Sequence, residues 1–548
     1  MSREASPGAN GRENRSFSPR FRRFLRSVAG AKTAQQERDL LASEVNSLRI
    51  DLGANDLTSV ASMTLRSHAH GAKRLEADGQ LLKAKTAELL ALCLYGETMG
   101  YSTAEFAHIK AVTLVQDAQT LFEKHIGYLC VSMFLHEDHE LNLLMVNTIQ
   151  RDLASDNQDI IAMALKVVSA IASTDMVPSL LPMVTGCLRH EDLLVRKSAV
   201  TALRRLFRVA PHLITFEMKR LKRTLADADP SVMAATLSVY LHAAQIDPAK
   251  CLPLLDAFIH IQRQAIAGRL SSTHDFHGVP APWVLIRTLE IITLLDNDDQ
   301  ATNQKIYTII LETLERASKG GEASYAVTYA CIRGLDHLVT KPTVRSLVPP
   351  LTRDPPSLPW RSISQLLGSK NHNLRYVGLW GLEMWAKLDP EAVGLHRAVV
   401  EEGLESEDET IQRKALDILM GTVSEATYEA VLSQVLKIVK TSDDTAFKER
   451  LTAKAMDVLD SIPTLDQQQY ITHAVQLLPL LPDGSRRGII SSLTKTISRN
   501  PLSAATIPAL DAFCRNSLLE LDVREINLLS FVTWVGLRSA SLVPVRLE

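Results

Sequence analysis

Hydrophobic positions recur with the period of an α-helix along most of the chain, most clearly from Phe122 to Ser155. In this stretch, apolar residues lie at helical spacing on both sides of a polar corner formed by residues 136–140. They are Ile126, Leu129, Cys130, Met133 and Phe134 before the corner, and Leu141, Leu144, Met145 and Ile149 after it. The pattern predicts two amphipathic helices joined by a charged corner. Because one helical hairpin cannot bury two apolar faces alone, we expect it to stack between similar hairpins.

A short motif recurs along the chain from residue 157 onwards. Each copy has Asp or Asn, a branched apolar residue three positions later and a small residue four positions after that. The copies begin at Asn157, Asp192, Asp229, Asn371 and Asp408. An Asp or Asn at a helix start can accept hydrogen bonds from free N–H groups. The spacing of about 35 to 40 residues is typical of HEAT- and armadillo-type repeats, so the sequence predicts an all-α solenoid of stacked helical hairpins.

Several segments are expected to differ from the stacked hairpins. Residues 1–16 are polar and contain Gly and Pro, which predicts a disordered N-terminus. Residues 51–80 show weak periodicity and are interpreted as a loop or insertion within the solenoid. Residues 340–360 contain six prolines and are expected to form a loop. The solenoid is predicted to cover residues 17–540, although the motif weakens beyond Lys440, and no hinge or β-sandwich ear domain is expected.

Composition narrows the class of protein. The chain has 548 residues, of which 46% are hydrophobic and only 5% aromatic, and this balance favours helices over sheets. The formal net charge of -2 gives no general attraction to nucleic acid. The six cysteines are widely scattered, which indicates buried thiols in a reducing compartment rather than disulfides or a metal site.

The segment after the polar N-terminus combines an apolar face with arginines. Its apolar residues, at helical spacing, are Phe17, Phe21, Phe24, Leu25 and Val28, and the arginines around them are Arg20, Arg22, Arg23 and Arg26. One interpretation is a basic amphipathic helix that binds an anionic membrane or an acidic peptide. The other is the first helix of the solenoid, with its arginines in solvent.

Sequence motifs for catalysis are missing. The chain has no GxxxxGK[ST], dinucleotide-binding or GxSxG motif, so we expect neither an enzyme nor a cofactor. His136 and His139 are three residues apart and do not form HExxH, so a solvated corner is favoured over a zinc site. The basic residues Lys73, Arg74, Lys83 and Lys85 form a loose cluster. A solvated surface is the favoured interpretation of this cluster, and contact with inositol lipids is the alternative.

Five sequence blocks resemble the large subunits of clathrin-type adaptor protein complexes. Besides residues 122–155, they are LYGETMGYSTAEFAHIKAV (94–112), HGVPAPWVLIRTLEIITLLDNDDQ (277–300), NLRYVGLWGLE (373–383) and LESEDETIQRKALDIL (404–419). The resemblance covers about residues 20–440. FLHEDHEL and VPAPW with LLDNDDQ are most similar to the epsilon subunits of adaptor protein complex 4. A gamma- or alpha-type large subunit remains an alternative, as does a HEAT-repeat transport receptor for soluble cargo.

The resemblance implies a set of partners. It implies a peripheral membrane protein that assembles with a beta-type large, a medium and a small adaptor subunit. Such a complex is recruited by an Arf-type GTPase to trans-Golgi or endosomal membranes, where it sorts membrane-protein cargo into coated vesicles. Nucleic acid is not among the expected partners.

The resemblance also implies two binding sites. The positions that match GTPase contacts in related subunits are Ile109, Val112 and Leu144, although the hydrophobic pattern is equally consistent with core residues. The position that matches the arginine beside the acidic residue of dileucine sorting signals is Arg26, with Arg23 as the alternative.

Overall fold

The computed structural model describes residues 19–66, 72–339 and 341–345, together with most of 357–494. The positions between 357 and 494 that lie outside the described part are 388–392, 395, 407, 424–426, 442–443, 463–466, 478–489 and 492. All regular elements in the described part are helices, and the only pairing of strand type there is an isolated bridge between Phe276 and Val279. This confirms the predicted all-α fold. The predicted disordered segment, residues 1–16, lies outside the described part.

The chain divides into two compact units, Met1–Asp296 and Asn297–Glu548. The α-helices of the first unit are α1 (Pro19–Ala29), α2 (Ala34–Arg66), α3 (Ala72–Thr98), α4 (Ala104–Asp117), α5 (Leu121–Phe134), α6 (Asn142–Leu153), α7 (Gln158–Ile171), α8 (Val177–Cys187), α9 (Leu193–Val209), α10 (Ile214–Leu225), α11 (Pro230–Ile246), α12 (Pro248–Cys251), α13 (Leu255–Ile266) and α14 (Pro282–Leu294).

The first unit is a stack of hairpins in two layers. Helices α3, α5, α7, α9, α11 and α14 form one layer in which each member packs against the next, and α2, α4, α6 and α8 form the other. Helix α5 pairs with α4, whereas α6 pairs with α7. The prediction that the stretch from Phe122 to Ser155 forms one hairpin is therefore wrong. Its corner connects the end of one hairpin to the start of the next.

The second unit repeats this arrangement. Its helices are α15 (Gln300–Ser318), α16 (Tyr325–Val339), α17 (Pro342–Arg345), α18 (Leu358–Leu367), α19 (His372–Ala386), α20 (Arg397–Leu404), α21 (Glu409–Gly421), α22 (Tyr428–Thr441), α23 (Thr445–Ser461) and α24 (Gln467–Leu477). Helices α16, α19, α21 and α23 pack in succession, and α15, α18, α20 and α22 pair with them.

The first residue of the repeated motif caps the helix that follows it, as predicted. The side chains of all five Asp and Asn residues accept a backbone N–H in the first turn of the helix that follows. Two further caps with the same geometry, Asp299 and Asp444, escaped the sequence analysis because Thr302 and Phe447 stand at the position of the branched apolar residue. Capping is thus common to both units.

In one copy of the motif, the small residue lies at a close approach between neighbouring helices. At Gly378 an added Cβ would lie 2.7 Å from the backbone nitrogen of Leu367, so only glycine permits this approach of α19 to α18. Of the branched apolar residues, Val195, Val232 and Ile411 are fully buried. Ile160 and Leu374 are only half-buried, so the core position is filled less completely in those two repeats.

The loop prediction for residues 51–80 is wrong, whereas the prediction for residues 340–360 is tested only near its ends, because residues 340 and 346–356 lie outside the described part. Residues 51–80 belong largely to α2 and α3, with only 67–71 outside the described part. The segment contains no proline, and intrinsic helix propensity extends a helix even where the apolar stripe is weak. Within 340–360, Pro342 begins the short helix α17 and Pro359 lies in the first turn of α18. Proline is accommodated in the first turn of a helix because the N–H it lacks has no intrahelical partner there.

Candidate interaction surfaces

A buried polar network connects α4, α5 and α6. The Lys124 ammonium lies 2.7 Å from the Asp152 carboxylate and donates to the carbonyl of Val115 at 2.9 Å. The Tyr128 hydroxyl donates to the same carboxylate at 2.6 Å. Burial and the Asp152 charge raise the pKa of Tyr128, so its hydroxyl remains a hydrogen-bond donor. Each buried polar group has a partner, which is the condition for burying charge without a large loss of stability.

The corner between α5 and α6 is held by arginines from a later hairpin. The Glu137 carboxylate accepts a hydrogen bond from Arg205 and lies 3.4 Å from Arg208. Arg205 is buried and also donates to the carbonyl of Ala172. The hydrogen bond from Arg205 lowers the pKa of Glu137. The polar corner predicted to be solvated is therefore also a tertiary contact.

Three histidines meet at the same corner. The ring centroids of His108 and His139 are 5.2 Å apart, and those of His136 and His139 are 5.3 Å apart. Nδ1 of His139 accepts the N–H of Leu141 at 3.2 Å. Within the described part of the chain, no group of three or more His, Cys, Asp or Glu side chains has the geometry to hold a metal ion.

An exposed apolar patch lies beside this corner, on α4 and α6. It consists of Ile109, Leu143 and Leu144, which are 60%, 55% and 56% exposed. The two helices pack together, and Gln116 of α4 donates to the carbonyl of Leu144 at 3.3 Å. Val112, one turn from Ile109, is only 4% exposed. The inclusion of Val112 among surface contacts is therefore wrong, because it points into the core between the helices.

A second apolar surface was missed by the sequence analysis. Leu129 and Met133 of α5, expected in the core, are 42% and 45% exposed. Leu129 lines a groove of about 340 Å³ between α5, α7 and α9, together with Leu121, Met163 and Leu194. The helical spacing of Leu129 and Met133 could not predict that they are exposed, because core residues and groove residues recur with the same spacing.

The apolar face of α1 is not available to a membrane. Phe21, Phe24 and Val28 are buried, and the Phe24 ring packs edge-on against Tyr95 of α3. Arg20 pairs with Glu44 and Asp51 of α2. These contacts favour the interpretation of α1 as the first solenoid helix, since the face that would enter a membrane is covered.

The remaining arginines of α1 differ from Arg20. Arg22, Arg23 and Arg26 are exposed, and the only hydrogen bond of the Arg26 side chain in the described part goes to the carbonyl of Arg22 at 3.2 Å. Arg23 and Arg26 thus have guanidinium groups that an external carboxylate could reach.

The loose basic cluster is only partly described. The side chains of Lys73 and Arg74 lie outside the described part. Lys83 donates to the carbonyl of Asp117 at 2.8 Å, and Lys85 is exposed. Inositol-lipid contact by this cluster stays a prediction.

Two further observations concern the cysteines and the hydropathy of the described helices. The cysteines at 93, 130, 187, 251 and 331 are free thiols, and burial raises the pKa of Cys93 to about 12. No helix in the described part is both long and apolar enough to cross a bilayer.

Comparison with known proteins extends the resemblance along the chain. The family described as "Adaptin N terminal region" matches residues 73–526, which continues well past the expected limit near residue 440. The human AP-4 complex subunit epsilon-1 is 30% identical over 445 residues, covering 81% of this chain and 36% of that protein. The epsilon subunit of the AP-4 complex of Arabidopsis thaliana is 27% identical over 467 residues, covering 85% of this chain and 46% of that protein. The chain therefore spans less than half the length of either relative.

Similarity to solved structures concerns the fold. A crystal structure of importin beta has a TM-score of 0.53 and 11% sequence identity, covering 95% of this chain and 74% of that chain. This agrees with a HEAT-type architecture.

Proposed function

Because the chain belongs to the adaptin N-terminal family, we propose that it is the large, epsilon-type subunit of a vesicle-coat adaptor complex. In this proposal it binds a beta-type large, a medium and a small subunit and sorts membrane-protein cargo at trans-Golgi or endosomal membranes. The observation that carries the proposal is the family match over residues 73–526, which covers most of both helical units. The two-layered stack supports it, since such folds present long surfaces for protein partners.

Co-expression with the other three adaptor subunits tests this assembly. We expect one stable complex of four chains on affinity purification and gel filtration, and a poorly soluble chain when the small subunit is omitted. A monodisperse chain that ignores all three subunits would contradict the proposal. Capture of a Ran-type GTPase instead would favour a transport receptor.

The apolar patch is the proposed contact for an Arf-type GTPase. Ile109 and Leu144 are exposed aliphatic side chains on two helices that pack together, and exposed apolar surface of this kind usually marks a contact with another protein. We expect Ile109→Asp to abolish GTP-dependent recruitment of the complex to liposomes without preventing assembly. Ile246→Asp is the matched control, since Ile246 is also exposed, at 52%, but lies on α11. If both variants were recruited equally, the assignment of this patch as the GTPase contact would be wrong.

The exposed arginines of α1 are the proposed site for acidic dileucine signals. A planar guanidinium can bind a carboxylate through two charge-assisted hydrogen bonds. Loss of such a pair costs about 1 to 2 kcal/mol of binding free energy, which corresponds to about a tenfold change in affinity. We therefore expect Arg26→Ser to weaken binding of an acidic dileucine peptide about tenfold. Arg23→Ser tests the alternative, and Arg22→Ser is the control. Tyrosine-based signals should bind all three variants like the parent complex.

A further inference from the structure

Three aromatic side chains meet at the surface where the turn before α14 joins that helix. The Phe276 ring lies edge-on to His277 and to Trp283, with ring centroids 4.3 and 5.3 Å apart. Phe276 and Trp283 are 45% and 56% exposed. Large aromatic rings contribute much hydrophobic stabilisation when they are buried, so a fold rarely leaves two of them together in solvent without a use. These three residues are called the aromatic turn below.

The backbone holds the aromatic turn in one conformation. Phe276 and Val279 exchange two backbone hydrogen bonds, at 2.9 and 3.0 Å, and these close a two-residue turn at His277 and Gly278. The φ angles are positive at both turn residues and again at Ala281. Such angles are costly for residues with a Cβ and persist only where the surrounding structure enforces them. Val279 and Ala281 are buried and anchor the turn, so the exposed rings belong to a rigid element.

The surface around the rings is nearly uncharged. Among the exposed residues from 270 to 283, Asp275 alone has a full charge at neutral pH, since the others are serine, threonine, glycine, histidine and aromatic residues. One turn after Trp283, Arg287 pairs with the Glu290 carboxylate at 2.9 Å. Charge therefore steers neither an acidic nor a basic partner to this surface, and it only weakly opposes transfer of the rings into a less polar medium.

We propose that the aromatic turn inserts into the headgroup region of a lipid bilayer and that it does so without acidic lipids. Tryptophan is enriched at membrane–water interfaces because its ring is apolar while its N–H can contact polar groups. The Trp283 indole N–H makes no hydrogen bond within the described part of the chain. A neutral aromatic surface matches a zwitterionic bilayer, whereas protein interfaces surround such anchors with a polar rim.

The proposed assembly is not needed for this contact, because the aromatic turn requires no other subunit, no GTPase and no phosphorylated lipid. The test therefore uses the four-chain complex or, where no complex forms, the full chain by itself. Failure of the assembly and failure of the lipid contact can then be told apart.

The test compares loss of the rings with loss of two other exposed apolar side chains. The test variant is Phe276→Ser with Trp283→Ser. The control is Ile50→Ser with Ile246→Ser, whose side chains are 71% and 52% exposed but lie on α2 and α11. Circular dichroism should show similar unfolding temperatures for the parent and both variants, since each change removes exposed side chains.

The measurement is sedimentation with vesicles of phosphatidylcholine alone. We expect the test variant to partition at least about tenfold more weakly than the parent, and the control to change less than about twofold. Raising the salt from about 0.1 M to about 0.5 M should change the parent by less than about twofold, because transfer of apolar rings is not screened. Equal losses in both variants, no sedimentation of the parent, or sedimentation only with acidic lipid would overturn the proposal.

A second arm asks whether Trp283 itself enters the lipid. Trp283→Phe keeps an aromatic ring and should still sediment with the vesicles, but it removes one indole from the fluorescence. With brominated phosphatidylcholine, which quenches indoles inside the bilayer, we expect the parent to lose more fluorescence than this variant. Equal quenching of the two proteins would show that Trp283 stays outside the bilayer and would also overturn the proposal.

Discussion

The buried polar network lies on α4, α5 and α6, and the exposed apolar patch lies on two of the same helices, α4 and α6. In each of them the residue type is the opposite of what is usual at that depth. Lys124, Tyr128 and Asp152 place two charges and a hydroxyl group where hydrophobic groups are usual, at 5%, 2% and 4% exposure. Ile109, Leu143 and Leu144 place large apolar side chains in solvent, each more than half exposed.

The difference between these two regions lies in their partners. Every charge of the network is paired within the unit, so it stabilises one arrangement of α4, α5 and α6. The patch has no covering element among the described residues, and contiguous exposed apolar surface usually marks a contact with another molecule. The network should therefore determine stability, and the patch should determine binding.

Breaking the network should have the largest effect. Asp152→Ala leaves the Lys124 ammonium buried without a counter-charge, and such losses cost about 3 to 5 kcal/mol. We expect urea denaturation followed by circular dichroism to show this loss of unfolding free energy. Tyr128→Phe should cost only about 1 kcal/mol, because Asp152 keeps its lysine. If the two variants were equally stable, the pair would not be the centre of the network.

Separating α5 from α4 should have the next largest effect. A Cβ at Gly127 would lie 2.5 Å from Cγ2 of Val115 and 3.3 Å from its backbone nitrogen. Gly127→Ala therefore forces the helices apart where Lys124 binds the Val115 carbonyl, at a cost of about 1 to 3 kcal/mol.

The control is Gly53→Ala, in the interior of α2. No atom lies within 4 Å of the added Cβ there, so the helix propensity of alanine should stabilise the protein by about 0.5 to 1 kcal/mol. Destabilisation by both substitutions would show that crowding is not the cause.

Local features of the fold were predictable from the sequence, whereas both compared regions depend on distant residues. A cap such as Asp192 binds N–H groups two and three residues ahead, so its motif is visible in a short window. Asp152 lies 28 residues from Lys124, and Glu137 lies 68 residues from Arg205. No spacing rule connects such pairs before the stacking of the hairpins is known.

The candidate sites show the same limit. Ile109 and Val112 are both compatible with the apolar stripe of α4, and only the positions of the packed helices separate them. The family resemblance correctly indicated the fold, but not which side chains reach the surface.

Truncating the patch should have little effect on stability. Ile109→Ser and Leu144→Ser each remove a side chain that is more than half exposed, so the unfolding free energy should change by no more than about 0.5 kcal/mol. The same urea titration measures it. A loss above about 1 kcal/mol for either variant would mean that the residue belongs to the core and not to a binding surface.

The smallest expected effect is a pH dependence at the corner between the two regions. Burial lowers the pKa of His139, and the imidazoles of His108 and His136 lower it further, against the opposing charge of Glu140. The unfolded imidazole, with a pKa of about 6.5, takes up its proton before the folded one does. The contribution of His139 to stability is therefore complete above about pH 6.5 and is lost as the pH falls through the lower pKa of the folded state.

His139→Asn removes the titration while its amide oxygen can still accept the N–H of Leu141. We expect the unfolding temperature of the parent chain to fall more between about pH 7.5 and 5.5 than that of the variant. Parallel profiles would show that His139 does not make the stability of the folded chain depend on pH in this range.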